Sequence, residues 1–179
     1  MEPVRAIPSG KERIFPAEEL IVSKTDPKGR LTYVNDVFLS VSGFTEAELI
    51  GQPHSIIRHP EMPRCVFKLL WDTVSSGHEL FAYVNNMSKN GDNYWVFAHV
   101  TPSFDGAGQI VGYHSNRRVP EPGALEKIKP LYRRLLDEEN RHADRKAGLD
   151  ASWAMLHRAV EDAGFDSYAR FIFAITPNT

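Results

Sequence analysis

NNMSKNGDNYWVFAHVTP, residues 85–102, reads as two β-strands joined by a tight turn. Lys89-Asn90-Gly91-Asp92 is the turn, because Asn-Gly tolerates the positive φ angles that short hairpins need. Beyond it, Asn93, Trp95, Phe97, His99 and Thr101 alternate with Tyr94, Val96, Ala98 and Val100. A period of two sends these sets to opposite faces of a sheet. Both sets are rich in aromatic or branched side chains, so both faces are expected to be covered. One is expected to pack on protein, the other on protein or on a flat ligand.

Working outward, more strands and a group of helices precede this hairpin. Leu20 to Thr25 and Arg30 to Val34 form a first hairpin around the turn Asp26-Pro27-Lys28-Gly29. Asn35-Asp36 can cap a helix carrying Val37, Phe38 and Val41, which Gly43 closes. Thr45 and Glu48 have capping-box spacing for a second short helix. In QPHSIIRHPEMP, residues 52–63, prolines hold the chain off regular structure and bracket Arg58, His59 and Glu61. Arg64 to Ser76 carries an apolar stripe of Val66, Phe67, Leu70, Trp71 and Val74, the pattern of an amphipathic helix. His78 to Asn86 leads into the central hairpin, and Gln109 to Ser115 is the last strand, after the turn Asp105-Gly106-Ala107-Gly108. The order is α+β: five short antiparallel strands with helices on one side.

The flanks are different in kind. Residues 1–18 contain Pro3, Pro8 and Pro16 among many charges and read as an extended or mobile arm. After Val119-Pro120-Glu121-Pro122-Gly123, residues 124–145 and about 150–163 read as amphipathic helices, the first expected to kink or restart at Pro130. Tyr168 to Ile175 reads as an apolar tail. The expected division is an arm over 1–18, a sensor domain over 19–118 and a helical appendage over 119–179, which packs on the core or on another copy.

Composition narrows the function classes. In 179 residues, Lys+Arg number 21 against Asp+Glu 23, which leaves no electrostatic footprint for nucleic acid. No apolar run approaches the roughly 18 residues of a membrane helix. The N-terminus has no apolar core of a secretory signal, and the single Cys65 has no internal disulfide partner. A cytoplasmic protein without membrane insertion is expected. No nucleophile motif, phosphate loop or defensible carboxylate pair argues for an enzyme.

The strand order, Asn35 after the second strand and the KNGDNYWV run together resemble a PAS domain over about residues 18–118. In detail, VNDVFLSVSGFTEAELIGQPHSIIRHPEMP and NNMSKNGDNYWVFAHVTP look like the PAS domain of bacterial aerotaxis transducers. That resemblance implies non-covalently bound FAD, with FMN or haem as alternatives, and a redox or oxygen signal passed to a chemotaxis- or kinase-type partner. It also admits a homodimer. Arg58 and His59 stand at the flavin-associated Arg-His pair, Asn35 at the Asn ending the second strand, and Asn86 at the Asn before the hairpin turn. Where the family has a Trp after the long helix, this chain has Leu80 and Phe81. The membrane anchor and coiled coil of those transducers are not in this sequence, which implies a free-standing sensor or a fragment.

A flavin ring is flat, apolar on both faces and rimmed by hydrogen-bonding edges, so it needs apolar walls and a few placed amides or cations. Arg58 is a candidate for the N1–C2 edge or the pyrophosphate, and Asn86 for the ring edge. Trp71, Phe81 and Trp95 are candidates for aromatic walls. Plain alternatives stand beside these: a solvated loop cation for Arg58, a strand-end hydrogen bond for Asn86, core packing for Trp71 and Trp95. His59 is the candidate axial ligand if the group is haem. Cys65 lacks the surroundings of a photoreactive cysteine and reads as a small buried residue. A cofactor-free interaction module, its pocket filled by side chains such as Phe81, is the reading from a different class.

Overall fold

A computed structural model describes residues 6–177. Five antiparallel strands, β1 (Ile21–Thr25), β2 (Leu31–Val34), β3 (Leu80–Met87), β4 (Asn93–Phe104) and β5 (Ile110–Arg118), make one sheet in the order β2-β1-β5-β4-β3. Between β2 and β3 lie α1 (Asp36–Ser42), α2 (Glu46–Leu49), a single 3-10 turn at His54–Ile57, and α3 (Arg64–Ser75). Three helices follow the sheet: α4 (Pro122–Asn140), α5 (Arg145–Asp162) and α6 (Tyr168–Ile175).

Local chemistry explains the entry to each helix on the first face. The Asn35 side-chain oxygen accepts from Phe38 N at 3.0 Å and from Val22 N at 3.0 Å, while its amide donates to the Leu20 carbonyl at 2.8 Å. One side chain thus caps α1 and ties it to the start of β1. Glu48 reaches back to accept from the Thr45 amide at 2.9 Å, as the Thr-x-x-Glu spacing predicts. Phe38, Leu49, Ile57 and Val66 from this helical layer are buried beneath the sheet. Each contributes about 1.5–3 kcal/mol by leaving water.

The sheet's other face is covered by the C-terminal helices. Phe81 stacks on Phe97 and meets Phe173 of α6 with ring centroids 5.0 Å apart. The Tyr132 hydroxyl of α4 donates to the Tyr83 carbonyl at 2.8 Å, and the Tyr83 hydroxyl bonds Thr176 at 2.7 Å. Residues 168–175, expected as an apolar tail, are therefore a helix, started by Ser167, whose hydroxyl accepts from Arg170 N. The sequence YARFIFAI is apolar enough to suit a strand or a helix, and the cap together with the sheet surface selects the helix. Helix α4 continues through Pro130.

Within the arm, Ser9 N donates to Gly91 O, Asn93 N to Lys11 O and Arg13 N to Asn93 O. The described part of the arm is thus extended and laid along the hairpin, with Phe15 buried at its end. Residues 1–5 of that arm lie outside the described residues. Among the described residues, no helix is long and apolar enough to cross a membrane.

Candidate functional site

Between the sheet and the layer of α3 and the 3-10 turn lies a cavity of about 540 Å³. That volume falls in the range of small-molecule sites. Alternation decides which strand residues reach it. Val84 and Asn86 of β3, Ala98 and Val100 of β4, Tyr113, Ser115 and Arg117 of β5, and Ser23 and Thr25 of β1 face inward. Opposite them stand Pro53, His54, Ser55 and Arg58 from the 52–63 segment, with Phe67, Leu70 and Trp71 from α3. The Arg58 backbone pairs with Asn86 in an isolated bridge, which pins the proline-rich segment against β3. Trp71 lies across the β1–β2 turn, where a Cβ on Gly29 (φ +77°) would sit 2.9 Å from the indole. Only a glycine suits that turn and that contact together.

Most buried polar groups in a folded protein are hydrogen-bonded. Five buried side-chain atoms among the described residues are not, and four of them belong to residues lining this cavity: Thr25 Oγ1, Asn86 Nδ2, Ser115 Oγ and Arg117 Nη1. Tyr94 supplies the fifth. The cavity also gathers Lys28, Arg58, Arg64, Lys68 and Arg117 with no carboxylate among its lining residues. Such a set fits a flat ligand with a donor-and-acceptor rim and negative charge.

Arg117 is the group that sequence reasoning missed. It is 3% exposed and makes no ion pair among the described residues. Its Nη2 donates to Ser23 Oγ at 2.8 Å and to His54 Nε2, and its guanidinium lies over the Phe38 ring. Burial lowers its pKa to about 10, a loss the neighbouring Tyr94 only partly offsets. His54 turns its imidazole inward onto this cation. Burial, and then the Arg117 charge, hold it down at about 3, so it is neutral and accepts through Nε2. The last strand was expected to end at Ser115, whereas β5 runs to Arg118. The three extra residues place Arg117 opposite Ile21 and Ala98, inside the sheet. The signal was present in the alternation Tyr113, Ser115, Arg117.

The expected site residues divide. Arg58, Trp71 and Asn86 line the cavity. Arg58 stacks over Phe67 at 4.0 Å and donates to the Met62 carbonyl at 3.2 Å. Trp71 meets Tyr113 edge-on with centroids 5.4 Å apart, so it packs and lines at once. The others stand away from the cavity. Asn35 spends its side chain on the α1 cap. His59 is buried outside the cavity, and its Nδ1 accepts from Glu61 N at 3.2 Å. Phe81 and Trp95 lie on the opposite sheet face: Phe81 stacks on His99 at 4.0 Å, and Trp95 meets Tyr132 at 6.1 Å. Register explains this, since Phe81 pairs with His99 and Asn85 with Trp95, one residue out of step with Ala82, Val84 and Asn86. Phe81 therefore does not fill the cavity. Nor does His59 reach it as an axial ligand, and His54, which does line it, gives Nε2 to Arg117.

Residues 31–117 match the PAS fold family. Over 115 residues the chain is 41% identical to the aerotaxis receptor of Escherichia coli (strain K12), a match covering 64% of this chain and 22% of the receptor. Residues 31–117 have the PAS fold, and the chain resembles an aerotaxis receptor in sequence. The PAS domain is also 25% identical over 97 residues to the nitrogen fixation regulatory protein of Klebsiella pneumoniae, covering 54% of this chain and 20% of that protein. The light-state structure of the blue-light photoreceptor Aureochrome1 LOV superposes with a TM-score of 0.52 at 22% identity, over 68% of this chain and 91% of that one. That likeness is one of fold. The chain spans about a fifth of the length of the curated relatives it matches.

Proposed function

We propose that the PAS cavity binds a flavin non-covalently, FAD in the first instance, and that the protein is a cytoplasmic redox or oxygen sensor in a signalling pathway. The observation that carries this reading is the cluster of unpaired buried polar atoms on Thr25, Asn86, Ser115 and Arg117 in the cavity. Leaving a buried donor or acceptor without a partner costs about 1–3 kcal/mol. Four at one place, beside a buried cation without a carboxylate, are accounted for by a ligand that pairs with them. The similarity to an aerotaxis receptor supports the same reading.

A flavin supplies reversible electron transfer with accompanying protonation at its ring edge. The residues of this chain bind and bias it. Val84, Ala98, Val100, Phe67 and Leu70 exclude water from the ring. Asn86 and Ser115 offer hydrogen bonds to its edge. Arg117 is a fixed positive charge in a dry site, so it favours whichever oxidation state carries more negative charge. Lys28, Arg58, Arg64 and Lys68 suit the phosphate end. A signal requires the two oxidation states to favour different protein states, passed on to a receptor- or kinase-type partner.

The test is an absorption spectrum of freshly purified protein before and after dithionite, with the cofactor released by heat and identified. Flavin bands that bleach on reduction are expected. Arg58→Ala and Asn86→Ala should each lower cofactor content while leaving the circular dichroism spectrum unchanged. Protein that is colourless and takes up neither FAD nor FMN on reconstitution would sink the proposal.

A further inference from the structure

The N-terminus of α3 is capped from another part of the chain. Its first amides have no partner within the helix, and Pro63 before it has no side chain able to cap. Glu139 of α4, 3% exposed, fills that place. Its Oε2 accepts from Arg64 N at 3.0 Å and from Arg64 Nε at 3.1 Å. Its Oε1 accepts from Cys65 N at 3.0 Å and from Ser152 Oγ of α5 at 2.8 Å. The negative charge sits at the positive end of the helix dipole.

Helix α5 is drawn into the same junction. Arg64 Nη1 donates to the Arg145 carbonyl at 2.8 Å. At Gly148 a Cβ would lie 2.5 Å from the Glu139 carbonyl oxygen and 3.3 Å from Arg64 Nη2, so α4 and α5 touch backbone to backbone. The next residue, Leu149, lines the cavity, as do Arg64 and Phe67 of α3. The appendage thus supplies part of the ligand cavity's wall and holds α3 by its N-terminus.

We infer that Glu139 is a positioning residue that couples docking of α4 and α5 to occupancy of the cavity. A ligand seated against Leu149 and Arg64 holds the junction closed, and a closed junction holds the ligand more tightly. The two effects are equal by linkage. This rests on the flavin reading above. It gives the domain an output: a bound group that fits the cavity less well in one state loosens α5.

Cys65 reports on the junction. It is the chain's single cysteine, fully buried beside Ser152, and burial pushes its thiol up to about 12. It reacts with a maleimide only when the junction opens. The experiment measures FAD affinity by fluorescence quenching and Cys65 labelling with and without FAD, on the wild-type chain, Glu139→Gln and Leu149→Ala. Glutamine keeps one acceptor and turns an NH₂ group toward the remaining donors. Leu149 is half-buried, so its alanine variant keeps the fold if the glutamine variant does not.

FAD should slow labelling of the wild type. Glu139→Gln should label faster without FAD, and both variants should bind FAD more weakly, within the roughly 5- to 150-fold span of such couplings. In Leu149→Ala, labelling without FAD should match wild type while protection by FAD is reduced. If wild type binds FAD but its labelling rate does not change, or if both variants bind FAD as wild type does, the coupling is overturned alone. If wild type binds neither FAD nor FMN, the flavin reading falls and the coupling with it.

Discussion

At the scale of single residues, Arg117 and His54 set the chemistry of the cavity. A buried cation with no carboxylate contributes little to folding and can oppose it. Arg117→Met leaves Ser23 Oγ and His54 Nε2, already 3.4 Å apart, free to bond each other. Stability at neutral pH should therefore stay within about 1 kcal/mol of wild type, or rise, while flavin content falls. Urea melts and cofactor content on the same samples check both halves, and a methionine variant that keeps its flavin removes Arg117 from the site. His54 makes the acid response predictable. Its folded value of about 3 lies below the ordinary 6.5, so between these the unfolded chain takes up a proton and the folded one does not. The stability this provides is complete above pH 6.5 and is lost as the pH falls toward 3. The slope approaches about 1.4 kcal/mol per pH unit. Urea midpoints at several pH values between these limits should show the loss, and His54→Gln should flatten it.

At the scale of elements, two substitutions separate scaffold from site. Asn35→Ala removes the α1 cap and two further bonds, so it should cost about 2 kcal/mol or somewhat more in thermal or urea unfolding. Flavin content should be unchanged, because Asn35 does not line the cavity. Ile172 of α6 is fully buried. Ile172→Ala should cost about 2–5 kcal/mol; a cost below 1 kcal/mol would mean that α6 is not docked on the sheet in solution. Elements were also where sequence reading worked best and where it first slipped. The Asn35 cap, the Thr45–Glu48 pair, the Asn-Gly turn and the α3 stripe are local signals, and each sits where the sequence placed it. The end of β5 and the nature of residues 168–175 are not local. A strand continues for as long as a neighbour offers hydrogen bonds, and a short apolar run takes the form its docking surface allows.

At the scale of the whole molecule, the PAS sheet stands between two helical layers that do different work. One layer encloses the cavity, and α4 and α6 cover the opposite face while α4 and α5 grip α3 through Glu139. A ligand that binds only the folded chain should stabilise it by about 2.7 kcal/mol at a hundredfold excess over its Kd. For a chain of this size that is a rise in Tm of about 5–10 °C. Differential scanning calorimetry against FAD concentration tests this, and a Tm independent of FAD argues against binding in the cavity. The sequence by itself determined the α+β order of elements, the hairpin that organises them and their likeness to the PAS fold, and Arg58, Trp71 and Asn86, candidates from sequence, line the cavity. Tertiary structure decided the rest. A period of two says that Phe81 and Asn86 point to opposite faces, but not which face holds the cavity. Nor can spacing along the chain show that Glu139, from α4, closes the first turn of α3. Both depend on contacts between segments far apart in sequence, which exist only once the sheet has chosen what to pack on each side.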